Sequence, residues 1–166
     1  YQPLAEGSPF FFAPEVTLQR QELTVRSNGE TIAEYQRDSR FIGLKGGVSL
    51  GSFGEFSAGW RRGNGELDRD IGTASIPDFD YDIGEYTGRF VIDRLDIPDF
   101  PTTGYKLNIN GKASRGSAGA DADFEQSQGV VAVPLTVGAT TLLVNADAGY
   151  SSEDLPPERS YSLGGF

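Results

Sequence analysis

Hydrophobic and polar residues alternate along most of this chain with a period of two. From Tyr105 to Ala113 the odd positions are apolar or small, whereas the even positions from Lys106 to Lys112 are charged or amide residues. Successive side chains of a β-strand point to opposite faces, so this pattern predicts a strand with one apolar and one polar face. Similar segments recur along the chain. The predicted strands cover about residues 10–26, 31–50, 55–62, 85–95, 104–114, 120–137 and 140–150.

Turns that contain glycine or proline separate the predicted strands, and two longer polar segments interrupt them. Residues 51–54 predict a tight hairpin, whereas residues 63–83 and 151–166 lack a usable periodicity and predict long loops. Most of the predicted strands have about ten or more residues, against a mode of about 5 to 6 in soluble proteins. Long strands, with short turns on one rim and longer loops on the other, are typical of a transmembrane β-barrel.

Alternation alone leaves two fold classes open, because it does not say what the apolar face contacts. One is a soluble β-sandwich, a binding or adhesin module whose acidic loops would bind calcium. The other is a transmembrane antiparallel β-barrel, with lipid against the apolar face and a watery lumen against the polar face. Trp60, Tyr86 and Tyr150 lie near predicted strand ends, where barrels carry aromatic girdles. The polar side chains that we expect in the lumen are Arg61, Arg89, Asp93, Lys106 and Lys112.

Composition narrows the chemistry that this chain can perform. It has 166 residues, a formal net charge of -10, and no cysteine, histidine or methionine. These absences exclude Ser-His-Asp and Cys-His catalysis and nearly all transition-metal sites, so we expect neither enzymatic activity nor a cofactor. The negative charge argues against nucleic acid as a partner. No apolar run approaches the roughly 18 to 20 residues of a membrane helix. Because no methionine opens the chain, we expect a mature, trimmed or excised piece.

Two short motifs point to chemistry that their context does not support. Gly47-Val48-Ser49-Leu50-Gly51 matches the G-x-S-x-G nucleophile elbow, yet a predicted strand follows where the elbow needs a helix. The acidic stretch from Asp78 to Asp82 resembles the start of a calcium loop, but Gly84 comes one residue late and no glutamate stands at the twelfth position. We therefore expect a strand end at the first motif and an exposed acidic loop at the second.

Two other motifs, taken in order, resemble a known family. Asp93 and Asp96 lead to Phe100-Pro101-Thr102-Thr103-Gly104 and a long alternating strand, and Leu163-Gly164-Gly165-Phe166 ends the chain. This order is similar to that of the bacterial surface antigen superfamily, the BamA-like outer-membrane barrels. The second motif is most similar to the barrel of the patatin-like phospholipase branch. The residues that carry the family motifs are Phe100, Pro101, Gly104, Leu163, Gly164 and Gly165.

This resemblance implies a barrel of about 16 strands in the bacterial outer membrane, of which residues 1–166 would supply about seven middle strands. It implies a membrane anchor or a protein-translocation or assembly pore, with a lipase domain and a POTRA domain upstream of this chain. Membrane lipid would be one partner. Because open strand edges are not tolerated in lipid, missing strands or a second copy of the chain, as in a homodimer, would complete the sheet.

Overall fold

The strands of this protein form one antiparallel sheet in which each strand pairs with its neighbours in the chain. The computed structural model describes residues 2–27, 30–72 and 78–152. The strands are β1 Gln2–Pro3, β2 Phe10–Ser27, β3 Glu30–Ser49, β4 Gly54–Gly72, β5 Phe79–Asp93, β6 Lys106–Ser114, β7 Phe124–Val137 and β8 Thr140–Ser151. The only helical turn in these ranges is a 3-10 helix, Gly116–Ala118. The prediction of an all-β fold is therefore confirmed.

The predicted loop over residues 63–83 is wrong, because β4 continues into this segment as far as Gly72 and β5 starts within it at Phe79. Glycines hid the strand from the periodicity, yet they are what the packing requires. A Cβ atom on Gly65 would lie 2.3 Å from Cζ of Tyr81, its cross-strand neighbour. A Cβ atom on Gly63 would lie 2.6 Å from Cβ of Phe41. Large side chains on β3 and β5 thus occupy the space that the two glycines leave.

The strand predicted from residue 120 begins later, at Phe124, because the preceding residues fold back against β5. The backbone N–H of Asp82 donates to Oδ2 of Asp121 at 2.7 Å. A Cβ atom on Gly84 would lie 2.5 Å from the backbone of Ala118, so this close approach needs glycine. The segment covers the part of β5 that extends beyond the end of β6, which protects an otherwise open strand edge.

Smaller differences concern strand ends and the acidic motif. The strands predicted over residues 85–95 and 104–114 are β5, which ends at Asp93, and β6, which begins at Lys106. The acidic stretch that we expected in an exposed loop lies largely in β5, since Asp80 and Asp82 both belong to this strand. Of the predicted loop over 151–166, residues 153–166 lie outside the described part of the chain.

The sheet is open in the described part of the chain. β1 pairs with only Phe11 and Phe12 of β2, and β8 pairs with β7 alone. The buried hydrophobic cluster comprises Phe41, Tyr81 and Ile83, with Phe79 packed against it. Its members lie on one face of β3 and β5, towards one end of the sheet.

Candidate functional site

The candidate functional site is the sheet itself, because its two faces differ in chemistry. We call the face that carries Glu85 the inner face and the opposite one the outer face. The strand register links positions across the sheet into rows; one inner row joins Lys45, Gly59, Thr87 and Lys112. Side chains alternate between the two faces along each strand, so every strand residue can be assigned to one of them.

The outer face carries a continuous set of exposed hydrophobic side chains, which we call the apolar band. Leu18 is 82% exposed and Val137 is 83% exposed. Soluble monomers rarely expose an apolar surface of this extent without a partner. The large exposed members of the apolar band are Phe10, Phe12, Val16, Leu18, Ile42, Leu44, Phe56, Trp60, Tyr86, Ile109, Leu135, Val137, Leu142, Val144 and Tyr150.

The two faces exchange polarity at one end of the apolar band. Beyond Leu18 the outer face of β2 and β3 carries Arg20 and Asp38, whose side chains form an ion pair at 2.6 Å. At this end the inner face becomes apolar instead, with Tyr35 and Leu67 each only 2% exposed. A solvent-exposed sheet with a single packed side would keep one apolar face along its whole length. The exchange therefore indicates that the surroundings of the outer face change along the strands.

The upper border of the apolar band is inclined to the rows of the sheet. Tyr150 of β8 shares a row with Phe12 of β2, six residues below Leu18, so the border descends six residues over six strand-to-strand steps. The width is the same on β2 and β8, because Leu142 lies as far below Tyr150 as Phe10 lies below Leu18. A residue rises by about 3.3 Å and neighbouring strands are about 4.8 Å apart. This slope therefore corresponds to strands tilted by about 35° from the perpendicular to the border of the apolar band.

Aromatic side chains mark the upper border of the apolar band. Trp60 of β4 and Tyr86 of β5 are direct cross-strand neighbours on the outer face, and both are exposed. Tyr150 ends the apolar band on β8. Tryptophan and tyrosine combine an apolar ring with a polar group, which suits a boundary between apolar and aqueous surroundings.

All five predicted lumen residues lie on the inner face, and the register brings two of them into one ion pair. Nζ of Lys106 lies 2.8 Å from Oδ2 of Asp93 on the neighbouring strand. Nζ of Lys112 lies 5.9 Å from the ring centroid of Phe124, and Arg89 is an exposed side chain of β5. We find no ion pair between Arg89 and the other residues that the structure describes.

Glu85 is a buried inner-face residue that was not among the predicted lumen residues. Nε of Arg61 donates a hydrogen bond to its Oε2 at 2.6 Å, and Nη2 of Arg61 contacts the same oxygen. Glu85 is 1% exposed, so the burial of its carboxylate depends on this cationic partner. The guanidinium also lies 4.6 Å from the ring centroid of Phe41. The only sequence signal was that both residues occupy polar positions of strands that turned out to be neighbours.

The turn between β5 and β6 holds the first family motif in a fixed conformation. Oδ1 of Asp96 accepts hydrogen bonds from the backbone N–H groups of Thr102 and Thr103, and its Oδ2 accepts one from the Thr102 hydroxyl at 2.6 Å. These bonds hold the pKa of Asp96 well below its usual range, with the Thr102 hydroxyl making the largest contribution. Asp96 belongs to the motif in the sequence, but its role in holding the turn was not predicted.

The three motif residues in this turn have different surroundings. Gly104 has a φ of +96°, and a Cβ atom there would lie 1.9 Å from the carbonyl oxygen of Arg94. Pro101 is buried, whereas Phe100 is 83% exposed. The other motif residues, Leu163, Gly164 and Gly165, lie outside the described residues.

The two short chemical motifs of the sequence find no support in the described residues. Ser49 ends β3, and its hydroxyl donates to the carbonyl oxygen of Gly51 at 3.2 Å, which fits a strand end rather than a nucleophile elbow. No group of three or more acidic side chains in the described ranges could hold a metal ion. Nor does any helix in these ranges have the length and apolarity needed to cross a membrane. No family model matches the chain, and no curated protein matches it either.

Proposed function

We propose that this chain is a segment of a bacterial outer-membrane β-barrel that serves as a membrane anchor or as a protein-translocation or assembly pore. The observation that carries the proposal is the inclined apolar band on the outer face. Eight residue steps at a tilt of about 35° span about 22 Å, close to the roughly 25 Å apolar belt of outer-membrane barrels. Strands in such barrels tilt by about 35° to 45°, which agrees with the slope of the band.

The inner face supports the same proposal. Where the outer face is apolar, the inner face carries charged and amide side chains, including the pairs Arg61 with Glu85 and Lys106 with Asp93. A water-filled lumen would solvate these groups, whereas the interior of a soluble sandwich would have to be apolar at this level. The soluble β-sandwich module would also leave the apolar band in water, which is unfavourable in proportion to the apolar area.

In lipid the two open edges of the sheet require partner strands, because unpaired backbone groups there cost several kcal/mol each. β8 is free along its whole outer edge in the described part of the chain. We propose that strands outside this chain or a second copy of it supply the missing hydrogen bonds. By resemblance to the patatin-like phospholipase branch, an upstream lipase domain and a POTRA domain would belong to the same protein, and any lipase activity would reside there.

A semi-native gel of the complete protein tests this proposal. We expect the protein in the outer-membrane fraction, with a band whose mobility changes on boiling, since detergent-folded barrels resist unfolding until they are heated. The matched sample is the same protein unfolded in urea before loading, which should migrate at one position with or without boiling. A monodisperse, folded form that remains in solution without detergent would overturn the proposal and favour the soluble binding module.

A further inference from the structure

A cavity of about 380 Å³ opens on the inner face, and its charged lining is mainly cationic. Among the described residues, its charged side chains are Lys45, Arg61, Arg89, Lys112 and one carboxylate, Glu15. This excess of positive charge contrasts with the formal net charge of -10 of the whole chain. A local field of the opposite sign to the net charge would concentrate anions at this part of the inner face.

The strand register arranges three of the cations around a floor of small residues. Lys45 and Lys112 occupy the same row on β3 and β6, with Gly59 and Thr87 between them. Their backbones are three strand spacings apart, or about 14 Å. Arg89 lies on the intervening strand β5, two residues from Thr87 towards the β5–β6 turn. The three side chains therefore start from different sides of one small floor.

Gly59, the cross-strand neighbour of both Lys45 and Thr87, is tightly enclosed by them. A Cβ atom there would lie 2.9 Å from the carbonyl oxygen of Leu44, 2.9 Å from Cβ of Lys45 and 3.1 Å from Oγ1 of Thr87. The tight fit leaves no room for a side chain between Lys45 and Thr87. The polar groups beside the cations include the Thr87 hydroxyl and the amide of Asn110. Both groups can donate hydrogen bonds to an oxygen ligand.

The carboxylates nearby leave the cavity with a positive charge. The carboxylate of Glu85 is engaged by Arg61. Glu15 accepts a hydrogen bond from the Thr17 hydroxyl at 3.3 Å. Within the described residues, neither Lys45 nor Arg89 forms an ion pair. Like charges that share a concave surface repel one another, and an anion between them would relieve that repulsion.

We propose that this cavity binds a phosphate-type oxyanion. The planar guanidinium of Arg89 would donate two parallel hydrogen bonds to two oxygens, and the ammonium groups of Lys45 and Lys112 would complete the charge. Thr87 would donate to a remaining oxygen. The site goes beyond the proposed barrel function, because it depends on the inner face alone and would exist equally in a soluble protein.

Calorimetric titration of the complete protein with inorganic phosphate, in a non-ionic detergent and at constant ionic strength, tests the site. We expect saturable binding, and Arg89→Gln and Lys45→Gln should each raise the dissociation constant about tenfold or more, as loss of a charge-assisted contact does. Lys106→Gln is the matched control, since it removes one positive charge from the same face at a residue already paired with Asp93. Its dissociation constant should stay within about twofold of the wild-type value.

Two further samples keep the test decisive. Arg89→Lys preserves the charge but not the two parallel donors, so it should bind phosphate more weakly than the wild type and more tightly than Arg89→Gln. Adding phosphatidic acid to the micelles distinguishes the source of the phosphate group: competition indicates a lipid headgroup, and its absence indicates a free anion. Non-saturable binding, or equal weakening by Lys106→Gln, would overturn the site. If the barrel proposal fails, the same titration in buffer without detergent still tests the cavity.

Discussion

Replacing Ala58 with arginine should destabilise the protein in lipid strongly. The middle of the apolar band falls at Pro14 on β2, and on β4 Ala58 lies on the outer face between two exposed members of the apolar band, Phe56 and Trp60. Ala58 is exposed on the outer face between Gly46 and Gly88, so a long side chain meets no steric obstacle. Arginine on the lipid face at the bilayer midplane costs about 2 to 4 kcal/mol in outer-membrane barrels. An exposed substitution in water would change stability by only about 0.5 kcal/mol.

The assay is equilibrium unfolding in urea of the protein folded into lipid vesicles. Fluorescence of Trp60, the only tryptophan in the chain, reports folding because its ring lies at the border of the apolar band. Asp68→Arg is the matched control, since Asp68 is an exposed outer-face residue of the same strand beyond the apolar band. We expect the free energy of unfolding to fall by about 2 to 4 kcal/mol for Ala58→Arg and by less than about 1 kcal/mol for the control. Equal small changes in both variants would refute the assignment of the outer face to lipid.

Three further predictions concern the turn and the inner face, and the same unfolding measurement checks them. Gly104→Ala should cost about 1 to 3 kcal/mol because of the positive φ of Gly104 and the clash of a Cβ atom there with Arg94. Gly129→Ala is the control, since no atom lies within 4 Å of the new Cβ, and it should change stability little. Equal effects of the two substitutions would contradict this prediction. Glu85→Ala should cost about 3 to 5 kcal/mol, since Arg61 would lose its buried counter-ion, and a change below about 1 kcal/mol would show that the pair is unimportant. Because the pKa of Asp96 is lowered in the folded state, its carboxylate should stabilise the fold above its ordinary pKa of about 4 and lose this effect as the pH falls through the lowered value. Asp96→Asn should remove that part of the pH dependence, and an unchanged acid limb would exclude the role.

The alternation of the sequence located β6 to within two residues. Along the whole of this strand the apolar residues stay on the outer face and the polar residues on the inner face. The alternation failed over residues 63–83 because glycines stand at several of these positions and because the faces exchange polarity just before this segment. On β4 the exchange brings Arg61 and Arg62 together, and on β3 it brings Phe41 and Ile42 together. Two neighbours of the same class break a period-two pattern although the strand continues. Such pairs at matching levels of adjacent strands are therefore a sequence signal for the border of the apolar band.

The candidate site was only partly predictable, since ion pairs depend on register as well as on face. The inner positions of Arg61 and Lys106 follow from alternation alone. Their partners follow from pairing: Arg61 is directly opposite Glu85, and Lys106 is directly opposite Asp93. The turn between β5 and β6, which sets the register of Lys106 with Asp93, can be recognised in the sequence. The register of β4 with β5 is set by residues 63–83, which we predicted to be a loop. The pairing of Arg61 with Glu85 could therefore not be predicted.

Strand direction decides how the two open edges of this sheet can be completed. Consecutive strands from β2 to β8 alternate in direction, so β2 and β8 run the same way. Direct closure between them would need a parallel ladder, whereas bacterial outer-membrane barrels close with antiparallel strands and an even strand number. An odd number of strands must therefore lie between β8 and β2 in any such barrel, and β1, which pairs with Phe11 and Phe12 of β2, counts as one of them. The average slope of the apolar band, one residue per strand, should continue across these strands. The outer-face apolar residues of the strand beside β8 should therefore lie about one residue lower than those of β8.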